Sequence, residues 1–75
     1  MNEIGRFIRE RRKTNGLTQQ ELAELARVGT RFVSELERGK PTVRVDAANR
    51  VLAVFGKQLG VVEAAPDGDR SETER

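Results

Sequence analysis

Eleven arginines and three lysines carry most of the chemistry that this 75-residue chain can offer. A guanidinium grips phosphates and base edges through paired hydrogen bonds, so a preference for Arg over Lys suits contact with a polyanion better than it suits solubility. The carboxylates that could act as acids or bases, Glu10, Glu21, Glu24, Glu35 and Glu37, are better explained by helix caps and surface pairs. Cys and His are both absent, which removes disulfides, thiolate and imidazole catalysis and the usual zinc ligand sets. No glycine-rich phosphate cradle is present, and the seven glycines mostly stand at expected helix ends. The expectation is a protein that is not an enzyme, with no catalytic residue, cofactor or metal.

The formal net charge of +2 hides an asymmetry. Residues 1–63 hold 12 Lys and Arg against 8 Asp and Glu, whereas residues 64–75 hold only Arg70 and Arg75 against Asp67, Asp69, Glu72 and Glu74. A basic body therefore carries an acidic tail. A chain this short can bury one core, and 36% hydrophobic with 35% charged residues suits a small helical domain. No apolar run nears the ~20 residues a membrane span needs. Met1 leads straight into a charged amphipathic segment, so a cytoplasmic setting without membrane contact is expected.

The elements that must position the cations follow from periodicity. Ile4, Phe7 and Ile8 recur at helical spacing among Arg6, Arg9, Glu10, Arg11 and Lys13, predicting a first helix over residues 3–14 that Asn15-Gly16 stops. Thr18-Gln19-Gln20-Glu21 has the form of a capping box and opens a second helix with Leu22, Leu25 and Ala26 as its apolar positions, ending near Ala26 or Arg27. Gly29 or Thr30 caps a third helix whose Val33 and Leu36 face inward and which Gly39 ends. After the loop at Lys40-Pro41-Thr42, Asp46 begins a fourth helix with Ala47 or Ala48, Val51, Leu52 and Phe55 as its stripe, up to Gly56. From Lys57 to Ala64 the pattern alternates at a period nearer two, as a β-strand does. A lone strand needs a partner, and the same strand of a second copy is the economical one. Residues 65–75 read as a disordered acidic tail, leaving 1–64 as the single domain.

Two short helices separated by three or four residues form either an ordinary helical hairpin or the unit in which one helix braces while the next reads DNA. A family resemblance favours the second. Leu17-Thr18-Gln19-Gln20-Glu21-Leu22-Ala23 followed by Val33-Ser34-Glu35-Leu36-Glu37-Arg38-Gly39 resembles the phage-repressor or Xre-type helix-turn-helix family over residues 4–56. The resemblance implies an all-α, four-helix DNA-binding domain whose partner is double-stranded DNA with a palindromic operator.

It also implies roles for individual residues. Gln19 becomes a phosphate clamp; Thr30, Arg31 and Ser34 become base readers, with Glu35 at the groove edge, accepting from cytosine N4 or repelling phosphate. Arg31 can take guanine O6 and N7 together, its alternative being a phosphate contact. The hydroxyls of Thr30 and Ser34 have a second option in bonding their own backbone. Arg38, Lys40 and Arg44 flank the following loop and would neutralise phosphates, or else form a solvated cationic rim. Arg12 and Glu37 are implied to form a salt bridge that holds the third helix to the scaffold. Two departures stand out: Arg27 occupies a turn position where the family usually has Gly or another small residue, and Phe32 one where a small polar residue is common.

The fourth helix and the "KQLGVVEA" segment look like the HipB-type antitoxins, in which final strands pair across a homodimer that represses its own operon and binds a HipA-like kinase toxin. Leu59, Val61 and Val62 then become dimerisation residues. The alternatives are a stand-alone helix-turn-helix regulator, or an interaction module that neutralises a partner enzyme through the acidic tail.

Overall fold

The computed structural model describes residues 3–60 of the chain. Four helices follow one another: α1 (Glu3–Thr14), α2 (Gln19–Ala26), α3 (Thr30–Glu37) and α4 (Val45–Ala53). Among the described residues the fold is all-α, as expected. Residues 57–60 carry no regular structure, and Val61, Val62 and the tail at 65–75 lie outside the described residues.

Each helix begins and ends for a local reason. In α1, Glu3 sits in the first turn and Arg11, Arg12 and Lys13 in the last, so both ends complement the helix dipole. The capping box at α2 is complete: the Glu21 N–H donates to Thr18 Oγ1 at 3.0 Å, and the Thr18 N–H donates to Glu21 Oε1 at 2.8 Å. Helix α3 starts from Gly29 without a side-chain cap, so Thr30 is its first helical residue rather than its cap. It closes where the Gly39 N–H donates to the Leu36 carbonyl and the Lys40 N–H to the Glu35 carbonyl, both at 3.1 Å. That double closure needs a left-handed residue, and Gly39 supplies it at φ 81°. Helix α2 closes in the same way through Arg27, at φ 60°, the single non-glycine residue with positive φ among those described. The turn is left-handed here while carrying a side chain that disfavours that conformation.

Regular helix in α4 ends at Ala53, earlier than Phe55. Val54, Phe55 and Gly56 instead donate to carbonyls three residues back, at 3.2, 2.9 and 3.0 Å, which tightens the last turn. At its amino end Arg44 is the cap and Asp46 lies within the first turn, where it was expected.

The core is built from Ile8, Leu22, Val33 and Val51, all fully buried, with Ala23, Ala26, Leu36, Ala48 and Leu52 around them. Burying side chains of this size stabilises by ~1.5–3 kcal/mol each. Leu25, expected on the apolar side of α2, is instead 61% exposed; the small residues Ala23 and Ala26 make the contact and let α3 approach closely. Phe32 is half-buried against the core rather than free at the helix surface. Phe7 meets Phe55 edge to face at 6.3 Å between ring centroids, tying α1 to the end of α4.

Candidate nucleic-acid interface

The two faces of α3 have opposite environments. Val33 is fully buried, Leu36 and Glu37 are 3% exposed, and these residues fix the helix to α1 and α2. On the other side Thr30 is exposed and the Arg31 side chain is 91% exposed. A short helix held this firmly by its back presents its first turn as a rigid edge.

Glu37 is the main anchor. Its Oε2 accepts from Arg12 Nε at 2.6 Å, and its Oε1 accepts from Arg12 Nη2 and from Gln19 Nε2, each at 3.1 Å. Arg12 Nη1 completes the network by donating to the Leu17 carbonyl at 2.9 Å. A buried carboxylate in the last turn of a helix is disfavoured by both desolvation and the helix dipole, and a forked cation answers both. The hydrogen bond to Glu37 pushes the Arg12 pKa further up against the opposing effect of burial. Gln19, the expected phosphate clamp, therefore has its amide in this network, and one face of α1, the start of α2 and the end of α3 are joined.

Beside this network Arg9, Arg12, Gln19, Ser34, Glu37 and Arg38 line a polar cleft of about 250 Å³. Arg9 and Arg38 make no ion pair with any described residue, so the cleft carries uncompensated positive charge. Arg9 was not singled out from the sequence; its position one turn before Arg12 on α1 is the signal that could have found it. The hydroxyls of Thr30 and Ser34 make no hydrogen bond among the described residues, so neither is spent on its own backbone.

A second group gathers on the opposite edge of α3. Glu35 Oε2 accepts from Arg31 Nε at 3.2 Å and its Oε1 faces Lys40 Nζ at 3.4 Å. Burial pushes the Glu35 carboxyl up, but the hydrogen bonds and charges of Lys40 and Arg31 together outweigh it and leave its pKa below the ordinary value. Arg44 belongs to neither group. It pairs with Asp46 through two contacts, at 2.7 and 3.2 Å, and this hydrogen bonding is the main reason the Asp46 pKa is lowered.

Gly5 was also missed. It is buried within α1, and a Cβ there would lie 2.5 Å from the Leu36 carbonyl oxygen and 2.8 Å from that of Glu37. The backbone of α1 thus touches the end of α3, and an isolated Gly inside a helical pattern was the available signal. Leu59, expected at a dimer strand, packs against the chain's own core, and its N–H donates to Asn49 Oδ1 at 2.7 Å.

A bracing helix, a turn at Arg27–Gly29 and a second helix locked by its rear face define a helix-turn-helix protein. A family profile described as helix-turn-helix matches residues 8–62, and the chain belongs to that family. It is 40% identical over 60 residues to a Sinorhizobium fredii protein named as an uncharacterized HTH-type transcriptional regulator, y4mF, covering 80% of this chain and 79% of the relative. It is also 39% identical over 52 residues to an uncharacterized HTH-type transcriptional regulator of Methanothermobacter thermautotrophicus, covering 69% of this chain and 75% of the relative. No helix among the described residues is long and apolar enough to cross a membrane.

Proposed function

We propose that this chain is a sequence-specific DNA-binding transcriptional regulator, acting as a homodimeric repressor on a palindromic operator. The observation that carries the reading is the division of α3 into a buried rear, Val33 and Leu36, and an exposed leading edge at Thr30 and Arg31. Thr30, Arg31 and Ser34 read base edges in the major groove. Gln19, Arg38, Lys40 and Arg44 meet phosphates, joined by Arg9 through the cleft it shares with Arg38. Arg44 contributes least of these, because Asp46 already neutralises it. The names of the two relatives support regulation of transcription as the purpose.

A homodimer places two copies of α3 about one DNA turn apart, ~34–36 Å. In this reading Leu59 closes the core of its own subunit, and Val61 and Val62 supply the apolar part of the pairing segment. The narrower form is a HipB-like antitoxin that represses its operon and binds a HipA-like kinase toxin, supported by the resemblance of residues 57–64. Nuclease footprinting on the region upstream of the gene tests the main reading: two protected half-sites one turn apart are expected, and uniform cleavage contradicts it. Copurification with the product of an adjacent kinase-like gene tests the narrower form; elution of the two proteins apart contradicts it.

A further inference from the structure

The Arg31 side chain on the reading edge is 91% exposed, and an arginine projecting into solvent ordinarily loses much rotamer freedom when it engages a base. Here a neighbour on the same helix already engages it. Glu35 stands one turn later on α3, only 18% exposed, and its Oε2 takes the Arg31 Nε–H at 3.2 Å. Glu35 is itself held from the other side, because Lys40 Nζ lies 3.4 Å from Oε1. Lys40 is placed by the chain reversal at Gly39, where its own N–H donates to the Glu35 carbonyl.

The contact uses Nε and leaves both Nη groups of Arg31 without a partner among the described residues. Those two groups form the end of the fork that can donate together to guanine O6 and N7. Both oxygens of Glu35, meanwhile, already face cations. With one oxygen on Arg31 and the other toward Lys40, the carboxylate is drawn to the chain's own cations, so its geometry suits a support better than a reader.

We propose, on the reading given above, that Glu35 is a positioning residue that holds Arg31 end-on for guanine and thereby sets specificity at one base pair of each half-site. Its charge also lowers attraction to arbitrary DNA, so it trades general affinity for discrimination.

Selection from a randomised duplex library, followed by titration of the enriched site and its single-base variants, tests this with four proteins: wild type, Arg31→Ala, Glu35→Ala and Glu35→Gln. Wild type is expected to favour guanine at one position of the half-site by roughly five- to 150-fold, the range of a bidentate contact. Arg31→Ala should lose that preference. Glu35→Ala should reduce it at the same position while binding random DNA at least as tightly as wild type. Glu35→Gln, which keeps an acceptor for Nε, should retain an intermediate preference. Thermal melts of each variant separate this effect from unfolding, since a helix-surface pair alters stability little. An unchanged guanine preference in Glu35→Ala overturns the proposal. So does a changed preference at a different base pair from that lost in Arg31→Ala, which would make Glu35 a direct reader. If wild type enriches no site, the DNA-reading function itself fails, an outcome distinct from both.

Discussion

Arg12 and Glu37 meet as a fork on a carboxylate, at 2.6 and 3.1 Å, with side chains only 13% and 4% exposed. The pair joins the last turn of α1 to the last turn of α3, so the angle of the reading helix depends on it. Removing one partner leaves a buried charge without its counterion, which typically costs about 3–5 kcal/mol. Glu37→Ala and Arg12→Ala should each lower stability by that order in denaturant titrations. The double variant Arg12→Met/Glu37→Leu should lose much less than the two single losses combined, because neither charge is then left unpaired. Additive losses would contradict the pairing argument.

Gly5→Ala tests the close approach of α1 to α3. Alanine favours a helix over glycine by up to ~1 kcal/mol, so propensity predicts a gain. The added Cβ meets two backbone carbonyls, which cannot rotate away. A net loss of about 1–3 kcal/mol is expected, as for overpacked cores, together with weaker sequence-specific DNA binding. A raised melting temperature would show that α1 can move without strain.

At Arg27 the expected sign is reversed. The residue holds a left-handed conformation at the end of α2, one that costs an L-residue ~1–2 kcal/mol. Arg27→Gly removes that strain while giving back some unfolded-state entropy, so a gain of about 0.5–1 kcal/mol is expected. In a domain of this size that corresponds to a melting temperature higher by a few degrees. A decrease would mean that the arginine side chain makes a stabilising contact outweighing the strain.

Acidification should weaken the fold slightly through two surface carboxylates. Glu35 and Asp46 both have pKa values below their ordinary values of 4.5 and 3.8. A group with a depressed native pKa contributes stability that is fully present above its unfolded value and disappears as pH falls through the native one. Stability from these pairs should therefore hold at neutral pH and decline below about pH 4.5. Glu35→Gln/Asp46→Asn should show a shallower acid limb in melts between neutral and acidic pH. An identical acid limb would remove these groups from the account.

Much of this arrangement was legible from residue pattern. Thr18 and Glu21 announced the start of α2 because a capping box is a local device, needing only four consecutive residues. Val33 and Leu36 announced the rear of α3 by spacing. Arg12 and Glu37 are 25 positions apart, and no periodicity links them; the family resemblance supplied that pair. Gly5 was harder, since a glycine in a helix reads as a weakness until its neighbour is known. Leu25 misled for the opposite reason: a large apolar residue claims a core position, yet Ala23 and Ala26 occupy the contact because two backbones must come close. Glu35 was legible as part of the reading edge and as a member of a helix-surface pair, but not as a residue held between Arg31 and Lys40. The Arg31 contact is an ordinary one-turn pair within α3, but the Lys40 contact depends on the chain reversing at Gly39, which returns Lys40 toward the helix it has just left.

The central claim is that Arg31, on the exposed edge of α3, distinguishes one DNA sequence from another. Anisotropy titrations of wild type and Arg31→Ala, against the duplex upstream of the gene and a scrambled duplex at several salt concentrations, test it most directly. Wild type should prefer the upstream duplex, with log K falling by roughly 0.9 per phosphate neutralised for each tenfold rise in salt. Arg31→Ala should lose most of that preference while keeping much of its affinity for scrambled DNA. Equal losses on the two duplexes would make Arg31 a phosphate contact, and no preference by wild type at any salt concentration would contradict the account.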